Sequence, residues 1–214
     1  MQAFLKKQEI FLSKPLNLWS RLCLVLAAIC MGATFFFPLW EIRLVAPQYR
    51  DGLELYIYSY QLQAGNDGQH LDEINLLNHY IGMQPIREAD FVEMTWIPFA
   101  FGIFILLSLR GVVFGRMGNI VDLFVLFLYF GIFSMANFYY RLYSYGHNLD
   151  PTAPMTIEPF TPVLMGKNRI ANFIQYSYPD VASYFLIAFG VLLVVAAVLS
   201  VREKPIVPES HTTA

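Results

Sequence analysis

The residues best equipped for chemistry in this sequence are His79, Met83 and His147. His79 and Met83 stand four apart, so on a helix they share a face. An imidazole beside a thioether suits copper, with methionine favouring the cuprous ion. His147 lies in a different part of the chain and has to fold over to complete such a set. The plainer expectation is that His79 hydrogen-bonds within its own surroundings, because His-x3-Met pairs arise often by chance. Asn75, Asn78, His79 and Gly82 recur at helical spacing as a polar stripe, while Ile74, Leu77 and Ile81 fall on another face. Asp72 and Glu73 sit in the first turn, where the helix dipole favours carboxylates, and Gly82 supplies a left-handed stop. The spacing predicts a helix over 71–82 with one apolar side and one amide–imidazole side.

Catalytic signatures are missing from the sequence. There is no glycine-rich phosphate loop, no Gly-x-Ser-x-Gly elbow and no His-Glu-x-x-His pair. Asp72 and Glu73 are neighbours and point to different sides of a helix, so they do not form an acid–base pair. His147 and Asp150 are close enough to meet in a turn, but Asp before Pro more often caps its own backbone. A non-catalytic reading is preferred, with no catalytic residue assigned.

These residues must be positioned by a membrane framework. Of the 214 residues, 57% are apolar and 14% charged, and mean hydropathy is +0.48, the balance of a membrane protein. Four apolar runs approach the ~20 residues needed to cross a bilayer: 18–39, 95–113, 120–140 and 181–201. Segments 1–17 and 202–214 flank them, and two polar inserts, 40–94 and 141–180, lie between them. Lys6, Lys7, Lys14, Arg21, Arg110, Arg116, Arg202 and Lys204 collect on one side, whereas the first insert carries nine carboxylates against Arg43, Arg50 and Arg87. By the positive-inside rule both termini are expected in the cytoplasm, with both inserts outside.

The expected fold is an all-α, four-helix transmembrane bundle topped by a small mixed α/β cap made from the two inserts. In the first insert, Leu53, Leu55 and Ile57 alternate with Glu54, Tyr56 and Tyr58, which predicts a strand or hairpin near 53–61. In the second, Pro151, Pro154, Pro159 and Pro162 impose an extended path. Ala28 and Gly32 offer a small-xxx-small contact in the first span. Asp122 is the carboxylate that falls within an apolar run, a functional candidate by default; Arg116 and Asn119 lie within reach for a local ion pair or cap. Cys23 and Cys30 read as packing residues of the first span. An acidic outer surface suits a positively charged soluble partner, and nothing in the sequence suggests nucleic acid.

Two segments together carry a family resemblance: Asp72-Glu-Ile-Asn-Leu-Leu-Asn-His-Tyr-Ile-Gly-Met83, and Gly146-His-Asn-Leu-Asp-Pro-Thr-Ala-Pro-Met155 with Pro159-Phe-Thr-Pro162 and Ile170-Ala-Asn-Phe173. With Ala46-Pro-Gln-Tyr and Gly52-Leu, they resemble a family of four-span bacterial membrane proteins associated with nitrous-oxide reductase maturation and copper-handling gene clusters. The resemblance implies an accessory protein or subunit of a copper-dependent respiratory or oxidative system, with copper as the cofactor to test. It places His79, Met83 and His147 inside the shared segments without assigning them a role. The alternatives are a structural docking subunit, partnered by lipid and other membrane subunits or a periplasmic protein, and a lipid- or quinone-binding protein or enzyme.

Overall fold

The structure is a computed structural model, and it describes residues 2–204; Glu209 and His211 of the tail lie outside the described residues. The chain divides into two units, one of residues 1–32, 101–129 and 186–214, the other of residues 33–100 and 130–185.

The first unit is helical. It contains α1 (Gln2–Leu12) and α2 (Leu18–Ala33), and shares α4 (Glu93–Phe114), α5 (Met117–His147) and α6 (Val181–Ser200) with the second unit. Three of these, α4, α5 and α6, are long and apolar enough to cross a membrane. Their outward side chains include Ile103, Leu106, Val113, Val125, Leu126, Ile187 and Val191, all exposed. Unbroken apolar surface of that kind is stable only against lipid or another protein. The first apolar run behaves differently from its expected 18–39 span. Helix α2 stops at Ala33 after 16 residues, about 24 Å at 1.5 Å per residue, before Trp40 enters a strand.

Inside this unit, Phe104, Phe127 and Phe189 form an aromatic triangle with ring centroids 4.9–5.9 Å apart. Leu24, Met31, Phe101 and Leu193 are fully buried. The close approach expected at Gly32 occurs elsewhere: a Cβ on Gly32 would meet nothing within 4 Å, whereas one on Gly111 would lie 3.0 Å from Leu24 Cδ1. Polar side chains satisfy helix ends. Arg21 Nη1 donates to Val112 O at 3.0 Å, Asn17 Nδ2 to Leu199 O at 2.8 Å, and Ser20 Oγ to Ala196 O at 2.6 Å. Val112 and Leu199 lie among the last four carbonyls of α4 and α6, which have no partner within the helix; Ala196 lies one position earlier in α6. Asp122 is exposed on α5. It forms no ion pair with Arg116; among the described residues the ion pairs are Arg43–Glu54 and Arg141–Glu93.

The second unit is built on an antiparallel five-stranded sheet in the order β3-β2-β1-β5-β4. The strands are β1 (Trp40–Ala46), β2 (Tyr49–Ile57), β3 (Leu62–Ala64), β4 (Gly166–Ile170) and β5 (Phe173–Pro179). The expected strand near 53–61 overlaps β2, which runs from Tyr49 to Ile57; residues 58–61 lie in neither strand, and β3 continues the meander after them. Strands β1, β4 and β5 were not expected. Pairing of β1 with β5, from Trp40↔Pro179 to Val45↔Ile174, joins the two inserts into one sheet.

Helix α3 (Gln69–Tyr80) packs on one face of this sheet. It agrees with the predicted 71–82 helix apart from a shift of two residues at each end, within ordinary variation of helix boundaries. Ile74, Leu77 and Ile81 meet Leu44, Leu53, Leu55, Ile170 and Phe173 in a buried apolar cluster. Gly82 has φ +79, and a Cβ there would lie 2.8 Å from Asp150 O. That glycine lets the second insert pair along the helix end: Asp150 N donates to Gly82 O at 2.8 Å and Met155 N to Tyr80 O at 3.0 Å. Residues 148–165 contain no helix or strand, in keeping with the extended path that the four prolines impose.

Candidate site inside the sheet module

The inward row of β5 departs from the apolar rule. Phe173, Gln175 and Ser177 are all buried, so a long amide and a hydroxyl occupy the side of the strand that faces the core. Ser177 is satisfied: Trp40 Nε1 donates to its Oγ at 2.8 Å, and that Oγ donates to Leu164 O at 2.8 Å. Gln175 is not. Its Oε1 is buried without a hydrogen-bond partner, and so is Nδ2 of Asn78 on α3; each residue is 3% exposed. Both line one cavity of about 80 Å³, whose remaining wall is mostly aliphatic and aromatic, with Ile42, Leu55, Met83, Phe138 and Phe173 among it. A buried amide atom without a partner is costly and uncommon in native structures.

The mounting of these two amides is rigid. Gln175 sits on a strand paired on both sides, opposite Leu44 of β1 and Asn168 of β4. Asn78 occupies the last turn of α3, where its carbonyl accepts from Ile81 N at 3.2 Å and Met83 N at 2.8 Å. The neighbouring Asn75 clasps the segment after the helix: its Nδ2 donates to Ile86 O at 3.1 Å and its Oδ1 accepts from Ile86 N at 2.7 Å.

Arg141 and Tyr145 of α5 line the same cavity. Arg141 is committed to Glu93, Nε to Oε1 at 3.0 Å and Nη2 to Oε2 at 2.8 Å, and its guanidinium lies 4.9 Å from the Phe91 ring. Asn137 Nδ2 also donates to Glu93 Oε1.

The sequence-predicted site residues separate into different environments. Of the polar stripe, Asn78 is buried in the cavity wall, Asn75 serves the backbone, and His79 is exposed. Met83 lines the cavity and packs against the apolar cluster. His147 lies in the last turn of α5, which continues seven residues past the span expected to end at 140. Its Nδ1 is 3.0 Å from Tyr143 O, and its ring stacks on Tyr143 at 3.8 Å. Asp150 turns to its own backbone instead of to His147, accepting from Thr152 N at 2.8 Å and Thr152 Oγ1 at 2.6 Å. Among the described residues no group of three His, Cys, Asp or Glu side chains stands ready to hold a metal ion.

Sequence reasoning missed Gln175 altogether. The signal available was the alternation of Ile174, Tyr176 and Tyr178 with Phe173, Gln175 and Ser177, a strand pattern whose inward row is polar at two of these three positions.

On the opposite face of the sheet, the register sets Glu41 beside Tyr56 and Tyr178, and Arg43 beside Glu54 and Tyr176. Tyr56 Oη donates to Glu54 Oε2 at 3.0 Å, and Arg43 Nε lies 3.9 Å from Glu54 Oε1. Burial, then the nearby Asp180 and Glu54 carboxylates, raise the Glu41 carboxyl, with Arg43 opposing. Burial and the hydrogen bond to Glu54 push the Tyr56 phenol up to about 12. Comparison with models of known protein families and with curated proteins finds no match to this chain.

Proposed function

We propose that this protein is a non-catalytic accessory subunit of a membrane respiratory or oxidative system, of the copper-linked kind whose family the sequence resembles. In this reading α4, α5 and α6 cross the bacterial inner membrane, α2 makes a fourth and shorter crossing, and both termini are cytoplasmic. The sheet module lies on the outer side and docks a positively charged soluble protein.

The observation that carries the reading is the outward face of the sheet. Glu41, Glu54 and Asp180 crowd together there, interleaved with Tyr56, Tyr176, Tyr178 and Arg43. Tyrosine and arginine are the side chains enriched at protein–protein contacts. The mutual repulsion of the three carboxylates is relieved by an approaching cation, so charge complementarity selects a basic partner. The distribution of charge supports the orientation: residues 33–100 and 130–185 hold twelve carboxylates against six lysines and arginines, and the remaining segments hold four against eight.

The test uses the purified full chain in detergent and a basic c-type cytochrome as probe. Binding should weaken steeply as salt rises, and the triple variant Glu41→Gln, Glu54→Gln, Asp180→Asn should lose about tenfold or more in affinity, on the order of 1.4 kcal/mol. Equal binding by wild type and variant at low salt would remove the docking reading. The copper link is tested separately by metal analysis of wild type, His79→Ala and His147→Ala; negligible copper in all three would remove direct copper binding.

A further inference from the structure

We propose that the cavity between α3 and the inward face of the sheet is a binding site for a compact, neutral hydroxyl- or carboxamide-bearing group, which accepts a hydrogen bond from Asn78 and donates one to Gln175. This inference stands on the interior of the module and is independent of the docking face.

The chemistry follows from the wall. One unpartnered donor, Asn78 Nδ2, and one unpartnered acceptor, Gln175 Oε1, are set in residues that line the same space. A group that satisfies both must accept and donate, as a hydroxyl or a primary amide does and a ketone, ester or hydrocarbon does not. It must also be neutral. The charged side chain at the wall, Arg141, is spent on Glu93 through two short hydrogen bonds, and an ion in an otherwise apolar chamber would be heavily penalised.

The volume sets the size. About 80 Å³ is several times the ~10–15 Å³ that one water needs, and by proportion to a 150 Å³ cavity that takes benzene it holds roughly three or four non-hydrogen atoms. Water alone is a poor filling. Each buried water needs two to four polar partners, whereas beyond the two amides the wall offers mainly aliphatic and aromatic groups such as Ile42, Leu55, Phe138 and Phe173. An amphiphilic guest meets both halves of that surface. The same head chemistry belongs to a free short alcohol or amide and to the glycerol end of a neutral lipid.

The experiment compares isopropanol, acetamide and acetone, molecules of similar size and shape of which acetone accepts but does not donate. Ligand-observed NMR titration of the full chain in detergent should show isopropanol and acetamide binding about tenfold more tightly than acetone. Gln175→Met should abolish that preference, and Asn78→Leu should weaken all three. If Asn78→Leu fails to fold, the preference in wild type against Gln175→Met decides alone. In parallel, mass spectrometry of protein isolated gently from native membranes distinguishes the sources. Stoichiometric neutral glycerolipid, lost in Gln175→Met, identifies a lipid head; preference among the probes with no such lipid identifies a free small molecule. Equal binding of the three probes, a preference that survives Gln175→Met, or an ordered water bridging the two amides at saturating probe would overturn the proposal. Cytochrome binding should be untouched by Gln175→Met, so failure here is separable from failure of the docking reading.

Discussion

The Glu93–Arg141 pair ties the start of α4 to the end of α5 within the sheet-bearing unit, and its contribution can be worked out from geometry. Two charge-assisted bonds of 2.8 and 3.0 Å join the side chains, which are 17% and 26% exposed. Hydrogen bonds to charged groups contribute about 1.5–3 kcal/mol each, and deleting one partner of a fully buried pair costs about 3–5 kcal/mol. Partial exposure screens the pair, so Arg141→Ala should cost about 2–3 kcal/mol. Glu93→Gln keeps hydrogen-bonding capacity but loses charge, and should cost about half as much. In a double-mutant cycle of thermal unfolding in detergent, the coupling energy at pH 7 should be about 1–2 kcal/mol.

A coupling energy below about 0.3 kcal/mol at neutral pH would refute the reasoning.

Three further perturbations read other joints of the fold. A Cβ on Gly146 would lie 1.8 Å from Phe160 O, in backbone that also donates from Phe160 N to Gly146 O; Gly146→Ala should displace residues 158–162 and lower the melting temperature by several degrees despite alanine's better helix propensity. Asn75→Ala removes both bonds to Ile86 and should cost about 1–2 kcal/mol, seen as faster amide exchange confined to residues 83–87. On the sheet face the folded-state carboxyl of Glu41 is raised, so ionisation opposes folding, and Glu41→Gln should stabilise the protein at pH 7, with the gain fading as pH falls through the raised value and gone below about 4.5.

Helix α3 was legible because its determinants are local: the spacing of Ile74, Leu77 and Ile81, and a glycine stop at Gly82. The three long apolar helices were legible from hydropathy. What escaped was set by pairing distant in sequence. Strand β1 begins at Trp40, directly after an apolar run that reads as the end of a span, and only its partners β2 and β5 make it a strand. Strand β5 was hidden because its inward row carries Gln175 and Ser177, and Ser177 is tolerated there through Trp40 and Leu164. The polar stripe of α3 was visible, but its meaning was not: Asn75 and Asn78 turn inward to the Ile86 backbone and the cavity, while His79 stays outside. Helix α5 overran its expected end because Asn137 to His147, rich in tyrosine, marks a polar–apolar boundary without a proline, and its one glycine, Gly146, comes only in the last turn.

The central claim is that the carboxylate- and tyrosine-bearing sheet face meets the extracytoplasmic medium. In a Cys23→Ser, Cys30→Ser background, single cysteines at Lys167 on β4 and at Arg116 between α4 and α5, both exposed, can be challenged on intact cells with a maleimide that reaches the periplasm but not the cytoplasm. Lys167→Cys should label at once and Arg116→Cys only after the inner membrane is opened; the reverse order, or equal labelling of both before opening, would contradict the account.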